Sequence, residues 1–220
     1  MSEDKYFVEI WLRGYAKRFS RSMRMKVHQE IPQNIEKKLY PHITLIPPFS
    51  CEDESYFLDR FEEQCHNVGL LPFSLIGFDS FSKDDEKSDK NYLHLKAKVD
   101  PGIDTFRHRL HSSLLDTISC VAPINKLGDH IHHVTIAESE SESFSSFPSW
   151  FNTTYTPIEQ YMLRATVLKN KKVLCEYDFV QDKMLFRDEC LMKPVWSKTM
   201  DMFSQQTDLK PTNYGFVRID

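Results

Sequence analysis

Two tetrapeptides carry the same residue types in the same order: His42-Ile43-Thr44-Leu45 and His133-Val134-Thr135-Ile136. Along an extended strand successive side chains alternate faces. Each segment therefore presents an imidazole and a hydroxyl on one side and an apolar pair on the other. With nine histidines and 40% hydrophobic residues, chance predicts about 0.07 such tetrapeptides in the chain, so the repeat is a signal. If the fold brings the two strands together, the site holds two groups that titrate near neutral pH, one able to act as base and the other as acid. Two hydroxyls sit beside them as hydrogen-bond donors. That set suits a phosphodiester: a base activates water, an acid protonates the departing alkoxide, and donors meet the charge on the phosphoryl oxygens. With the leaving oxygen protonated, neither a metal nor another cofactor is expected.

Other readings are weaker. A lone His-Ile-Thr-Leu is ordinarily a strand histidine, and only the duplication favours function. The cluster His130-Ile131-His132-His133 invites zinc, but alternation puts His130 and His132 opposite His133. No Cys or His partner lies at a recognised spacing.

The positioning elements follow from the pattern. Residues 5–12 are aromatic and β-branched and predict a buried first strand. Residues 14–31 predict a helix with Phe19, Met23 and Val27 on its apolar side. No acid lies between Glu9 and Glu30, whereas Arg13, Lys17, Arg18, Arg21, Arg24 and Lys26 do. Such a run is ordinarily a solvated face; here Arg18, Arg21 and Arg24 are also candidates for a phosphate-attracting rim. The first motif strand spans 40–46 and is expected to stop at Pro47-Pro48-Phe49. A strand at 73–81 and a polar turn at 83–90 lead to strand 91–99, whose His94 is expected to face solvent. Asp104 is the expected N-cap of a helix reaching about Ile118. A loop at 121–130 delivers the second motif strand, 131–137, and Ser139–Ser146 reads as a loop or helix start. Residues 156–168 and 171–180 predict a hairpin about Lys169-Asn170-Lys171. Residues 183–204 read as a short strand and a helix, and 205–220 as a weakly structured end.

This order describes two similar halves: an α+β protein, a bilobal duplication with antiparallel sheets flanking a central cleft and one His-x-Thr strand per lobe. The expected division is a bilobal domain over 1–182 and a C-terminal extension over 183–220. At 220 residues the chain has room for two lobes sharing one core rather than two independent domains. A net charge of −4 gives no overall basic field for long nucleic acid, so a small ligand or the end of an RNA fits better. Five cysteines, none in a CxxC pair, read as reduced packing residues. No apolar run approaches a membrane span, and the N-terminus has no signal-like apolar region. The expectation is a cytoplasmic protein without membrane association or an obligate protein partner.

PHITLIPPF and HHVTIA resemble the paired His-x-Thr motifs of the two-histidine (2H) phosphoesterase superfamily, particularly its 2′-5′ RNA ligase/cyclic phosphodiesterase branch. The resemblance extends through FSLIGFDSF, LHLKAKV and the VLKNKKVLCEYDF hairpin, about residues 5–180. It implies opening of a 2′,3′-cyclic phosphate on a nucleotide or RNA 3′ end, leaving a 2′-phosphate, with ATP-independent 2′-5′ ligation as the reverse. Carried over, His42 and His133 are the catalytic pair, and Thr44 and Thr135 bind phosphate. His133 is assigned to water and His42 to the leaving oxygen, although the symmetric positions allow the reverse. Many members have glycine between the Ile and Pro that follow the first motif; this chain has Ile46-Pro47-Pro48. Tyr40, Phe49 and Tyr161 are candidates for stacking on the base. Two alternatives stay open: a module that binds a nucleotide or RNA end without catalysis, and a hydrolase of cyclic oligonucleotide messengers.

Overall fold

The computed structural model describes residues 4–30, 40–85, 88–119, 130–139, 156–211 and 216–218. All but the last residue of the loop expected at 121–130 and most of Ser139–Ser146 lie outside them. In chain order come β1 (Tyr6–Trp11), α1 (Gly14–Glu30), β2 (His42–Cys51), α2 (Glu54–Cys65), β3 (Pro72–Asp85), β4 (Ser88–Val99), α3 (Pro101–Leu114) and β5 (Ile118–Ser119). β6 (His133–Ser139), β7 (Ile158–Tyr161), β8 (Arg164–Lys169), β9 (Lys172–Asp178) and β10 (Lys183–Phe186) follow. The chain closes with α4 (Arg187–Cys190), α5 (Lys193–Thr207), β11 (Leu209–Pro211) and β12 (Phe216–Arg218).

The class is α+β, as expected. One antiparallel sheet has the order β10-β9-β8-β1-β2-β5 and a second has β6-β4-β3-β7. The motif strands β2 and β6 thus fall one in each sheet. Both sheets feed one continuous core: Val8, Ile10 and Leu45 come from the first and Leu75, Leu93 and Val134 from the second. Phe57 and Phe61 of α2 and Phe106 and Leu110 of α3 cover it.

Four expectations are corrected. β2 does not stop at Pro47-Pro48. Its pairing with β1 skips, from Tyr6↔Phe49 to Val8↔Ile46 to Glu9↔Thr44, so bulges absorb the prolines where the ladder is already interrupted. α3 is capped by Asp100, whose carboxylate accepts from the Gly102 N–H at 2.8 Å, with Pro101 suited to the first helical position. Asp104 instead lies inside α3 and is buried. Residues 156–168 are not one strand but two, β7 in the second sheet and β8 in the first. The chain crosses between sheets at Met162-Leu163: the Met162 N–H donates to Leu71 O at 2.9 Å and Leu163 O accepts from the Phe179 N–H at 3.0 Å. Finally, the described residues after 204 are regular structure: α5 continues to Thr207 and β11 pairs with β12.

The expected turn between β8 and β9 is present, with positive φ at Asn170 (51°) and Lys171 (64°), as a tight two-residue hairpin requires. β10 extends the first sheet beyond β9. A buried ionic network ties α5 onto that sheet. Arg164 donates to Glu176 (2.8 Å), Asp178 (2.8 Å) and the Thr199 hydroxyl (2.7 Å). The Thr199 hydroxyl donates in turn to Asp178. Among the described residues, no helix is long and apolar enough to cross a membrane.

Candidate functional site

The first half of the site is built on β1 and β2. Ile43 and Leu45 are fully buried, which turns His42 and Thr44 to the other face, where both are half-buried. The His42 Nδ1 lies 2.7 Å from Tyr40 O. A carbonyl only accepts, so Nδ1 carries the hydrogen and Nε2 is left for chemistry. That Nε2 is 3.4 Å from Glu9 Oε1. Glu9, opposite Thr44 in the ladder, is nearly buried, and its other oxygen accepts from Trp11 Nε1–H at 2.8 Å. Burial pushes the Glu9 carboxyl above its ordinary pKa, opposed by the His42 charge and the indole hydrogen bond.

The second half repeats the design. Val134 and Ile136 are buried, while His133 and Thr135 are half-buried. The His133 Nδ1 lies 2.8 Å from Ile131 O, so both motif histidines are oriented by the carbonyl two residues upstream. The surroundings differ, however. β4 places Lys96 opposite His133 and His94 opposite Thr135. The His94 ring packs at 5.1 Å and 60° against that of His133, and Lys96 Nζ is 3.3 Å from Asp79. Burial pushes the His133 imidazole below its ordinary pKa, opposed by the Ile131 hydrogen bond and reinforced by the charge of His42. β2 packs against β6, so the fold brings both His-x-Thr strands together. Both imidazoles are committed to a carbonyl through Nδ1, and the charge of His42 reaches His133. Such a pair can move protons onto and off a phosphoryl centre.

The rim candidates divide. Arg24 donates to Thr135 O at 3.0 Å and so joins α1 to β6. Arg21 lies 5.3 Å from the centre of the Tyr40 ring, and Lys17 donates to the Tyr40 hydroxyl. Tyr40 stacks on Trp11 with ring centres 4.0 Å apart, beside His42. Arg18 and Arg21 are both exposed on α1. Phe49 must be withdrawn as a stacking residue: it is 0% exposed and packs on Tyr6 and Phe57. Tyr161 packs against Phe203 and Phe216.

His94 is the other correction, since it is 2% exposed rather than solvent-facing. Alternation names its face correctly but cannot show that the ring of His133 covers that face. Burial pushes its pKa down to about 4, aided by His133. Glu9, Trp11 and Lys96 were also missed. The available signal was Glu9 itself, an acid in the middle of an otherwise aromatic and β-branched strand. His132 faces the opposite side and lies 3.4 Å from Asp104 of α3. Among the described residues, no group of three His, Cys, Asp or Glu side chains is arranged to hold a metal.

Residues 15–172 match the family model of the 2′-5′ RNA ligase superfamily. The chain belongs to that superfamily. The match spans both His-x-Thr strands and ends within β9, so β10, α5 and the β11–β12 ribbon lie beyond it. The fold is similar to that of TT0787 of Thermus thermophilus, at a TM-score of 0.51 and 12% identity, covering 80% of this chain and 97% of that one. Also similar are a structure described as a phosphoesterase (TM-score 0.45) and E. coli LigT complexed with 3′-AMP (TM-score 0.46). Each is 13% identical, over 84% of this chain and 94% of the other. No curated protein matches the sequence. Membership in the 2′-5′ RNA ligase superfamily directs attention to phosphodiester chemistry.

Proposed function

We propose that this member of the 2′-5′ RNA ligase superfamily is a metal-independent phosphodiesterase that opens 2′,3′-cyclic phosphates of nucleotides or RNA 3′ ends to 2′-phosphates. The observation that carries the reading is the unequal setting of two equally oriented imidazoles. A carboxylate faces His42 Nε2 at 3.4 Å, so a cationic His42 has a hydrogen-bond acceptor at Nδ1 and a counter-charge at Nε2. His133 is held below its ordinary pKa by burial and is neutral at pH 7, with a lone pair on Nε2. His133 therefore takes a proton from water as the water oxygen bonds to phosphorus. The bond from phosphorus to the ribose 3′-oxygen breaks, and His42 delivers its Nε2 proton to that oxygen. Thr44 and Thr135 donate to the non-bridging oxygens. Each proton transfer contributes about 10²–10⁴-fold. With an RNA 5′-hydroxyl in place of the water, the same transfers in the same direction open the cyclic phosphate into a 2′-5′ linkage without ATP, His133 taking the 5′-hydroxyl proton and His42 protonating the released 3′-oxygen. A cytoplasmic setting accords with Cys65, Cys175 and Cys190 being buried as free thiols.

The test is hydrolysis of 2′,3′-cyclic nucleotides and of an RNA bearing that terminus, in EDTA, with His42→Ala and His133→Ala alongside. Turnover falling about 10²–10⁴-fold in each variant, with a 2′-phosphate seen by ³¹P NMR, is expected. Saturable binding without turnover by the native chain would move the assignment to a binding module. Turnover retained in both variants would remove the histidines from the mechanism.

A further inference from the structure

A cavity of about 150 Å³ has Trp11, the ladder neighbour of His42, in its wall and neither motif histidine. Its walls come from the end of β1, the start of α1, the β7–β8 crossover, α5 and β12. Trp11, Tyr15, Tyr161, Trp196 and Phe216 supply five aromatic rings. Trp196 and Phe216 lie beyond the segment matched to the superfamily, so this chamber depends on the C-terminal part of this chain. Its walls are held firmly. The Arg13 guanidinium sits 5.6 Å from the Trp11 ring and 4.8 Å from the Trp196 ring and pairs with Glu176. Arg164 fixes Thr199 of α5, one turn from Trp196. One polar group in the wall is the Gln160 carboxamide, nearly buried, whose Nε2–H donates to Glu159 O at 2.7 Å.

We propose that this cavity binds a planar six-membered heteroaromatic ring, the pyrimidine base of the nucleotide whose cyclic phosphate meets the histidines. The proposal rests on the function proposed above. Size comes first: a cavity of about 150 Å³ is known to admit benzene, the footprint of one pyrimidine ring. Aromatic rings pack on a base, the Arg13 and Arg164 guanidiniums that lie over the Trp196 ring can donate to a base carbonyl, and the Gln160 carboxamide can hydrogen-bond a further base edge that plain apolar rings lack. Position is the third ground. Trp11 lines the cavity, is opposite His42 in the ladder, and donates to the same Glu9 carboxylate that faces His42. A base in the cavity and a phosphate at the histidines then share one wall.

The experiment uses the full chain and two readouts. First, cytidine and adenosine are titrated while the indole N–H signals are followed by NMR. Trp196 is the discriminating reporter, because Trp11 also adjoins His42 and would respond to anything bound there. Cytidine is expected to shift Trp196 saturably, and more strongly than adenosine does. Second, Trp196→Ala is expected to raise KM for 2′,3′-cyclic CMP about tenfold, with Trp196→Phe partly restoring it. Met200→Trp, which fills the cavity from α5, should abolish the cytidine-induced shift at Trp196. No response of Trp196 in a folded chain at millimolar cytidine overturns the proposal, as does an unchanged KM in both Trp196→Ala and Met200→Trp. If no cyclic nucleotide is hydrolysed yet cytidine still shifts Trp196, the cavity assignment stands and the hydrolytic reading fails.

Discussion

Glu9 Oε1 approaches His42 Nε2 to 3.4 Å from the neighbouring strand, whereas the strand beside His133 sets the ring of His94 against it. The two halves of the site are alike in orientation and unlike in charge. Glu9→Gln removes the counter-charge of a cationic His42. The kcat of Glu9→Gln should fall, with the acid limb of kcat/KM little changed. Because burial holds His133 down, that acid limb should lie below about pH 6.5, near which a free imidazole titrates. A pH profile of both forms checks this. An unchanged kcat in Glu9→Gln would separate Glu9 from the proton delivery.

His94 makes fold stability depend on pH. In the unfolded chain its imidazole takes up a proton below about pH 6.5, whereas in the fold it stays neutral down to about 4. Between those values the unfolded state binds more protons, so stability should fall as pH drops through the window. Urea midpoints measured across that window should decline less steeply in His94→Gln than in the native chain.

Arg164 is 3% exposed and bonded to two carboxylates and a hydroxyl. Arg164→Ala leaves Asp178 buried without a counter-charge and Glu176 with Arg13 alone, and should cost about 3–5 kcal/mol. Arg164→Met, which keeps the bulk, should recover little of that loss. Urea unfolding of the three forms measures it.

Arg18 and Arg21 are exposed on α1, while Arg24 bonds to β6 through Thr135 O. Arg18→Ala and Arg21→Ala should weaken RNA-end binding and reduce its salt slope by about one per charge removed, sparing a mononucleotide. Arg24→Ala should reduce turnover of both substrates, since it loosens the strand that carries His133. Equal losses on both substrates in all three variants would end the rim assignment.

The repeat of His, apolar, Thr, apolar was enough to name the strands and their buried faces: Ile43, Leu45, Val134 and Ile136 are all inside. What lay across from those strands was not legible. Periodicity says which way His94 points but not that another ring covers it. Propensity stops a strand at Pro47-Pro48, because the bulges that accommodate both prolines exist only against β1. Residues 156–168 read as one uninterrupted strand, because a change of sheet is decided by distant partners, Leu71 and Phe179. Phe49 lost its proposed stacking role for a related reason: a ring beside a motif can pack inward as readily as outward.

That change of sheet has a mechanical result. Adjacent residues, Met162 and Leu163, are pinned to opposite lobes through Leu71 and Phe179, leaving no slack segment between them. The jaw cannot open about this corner without breaking one pin or the other. The separation of the two sheets at this corner is therefore set by the chain itself.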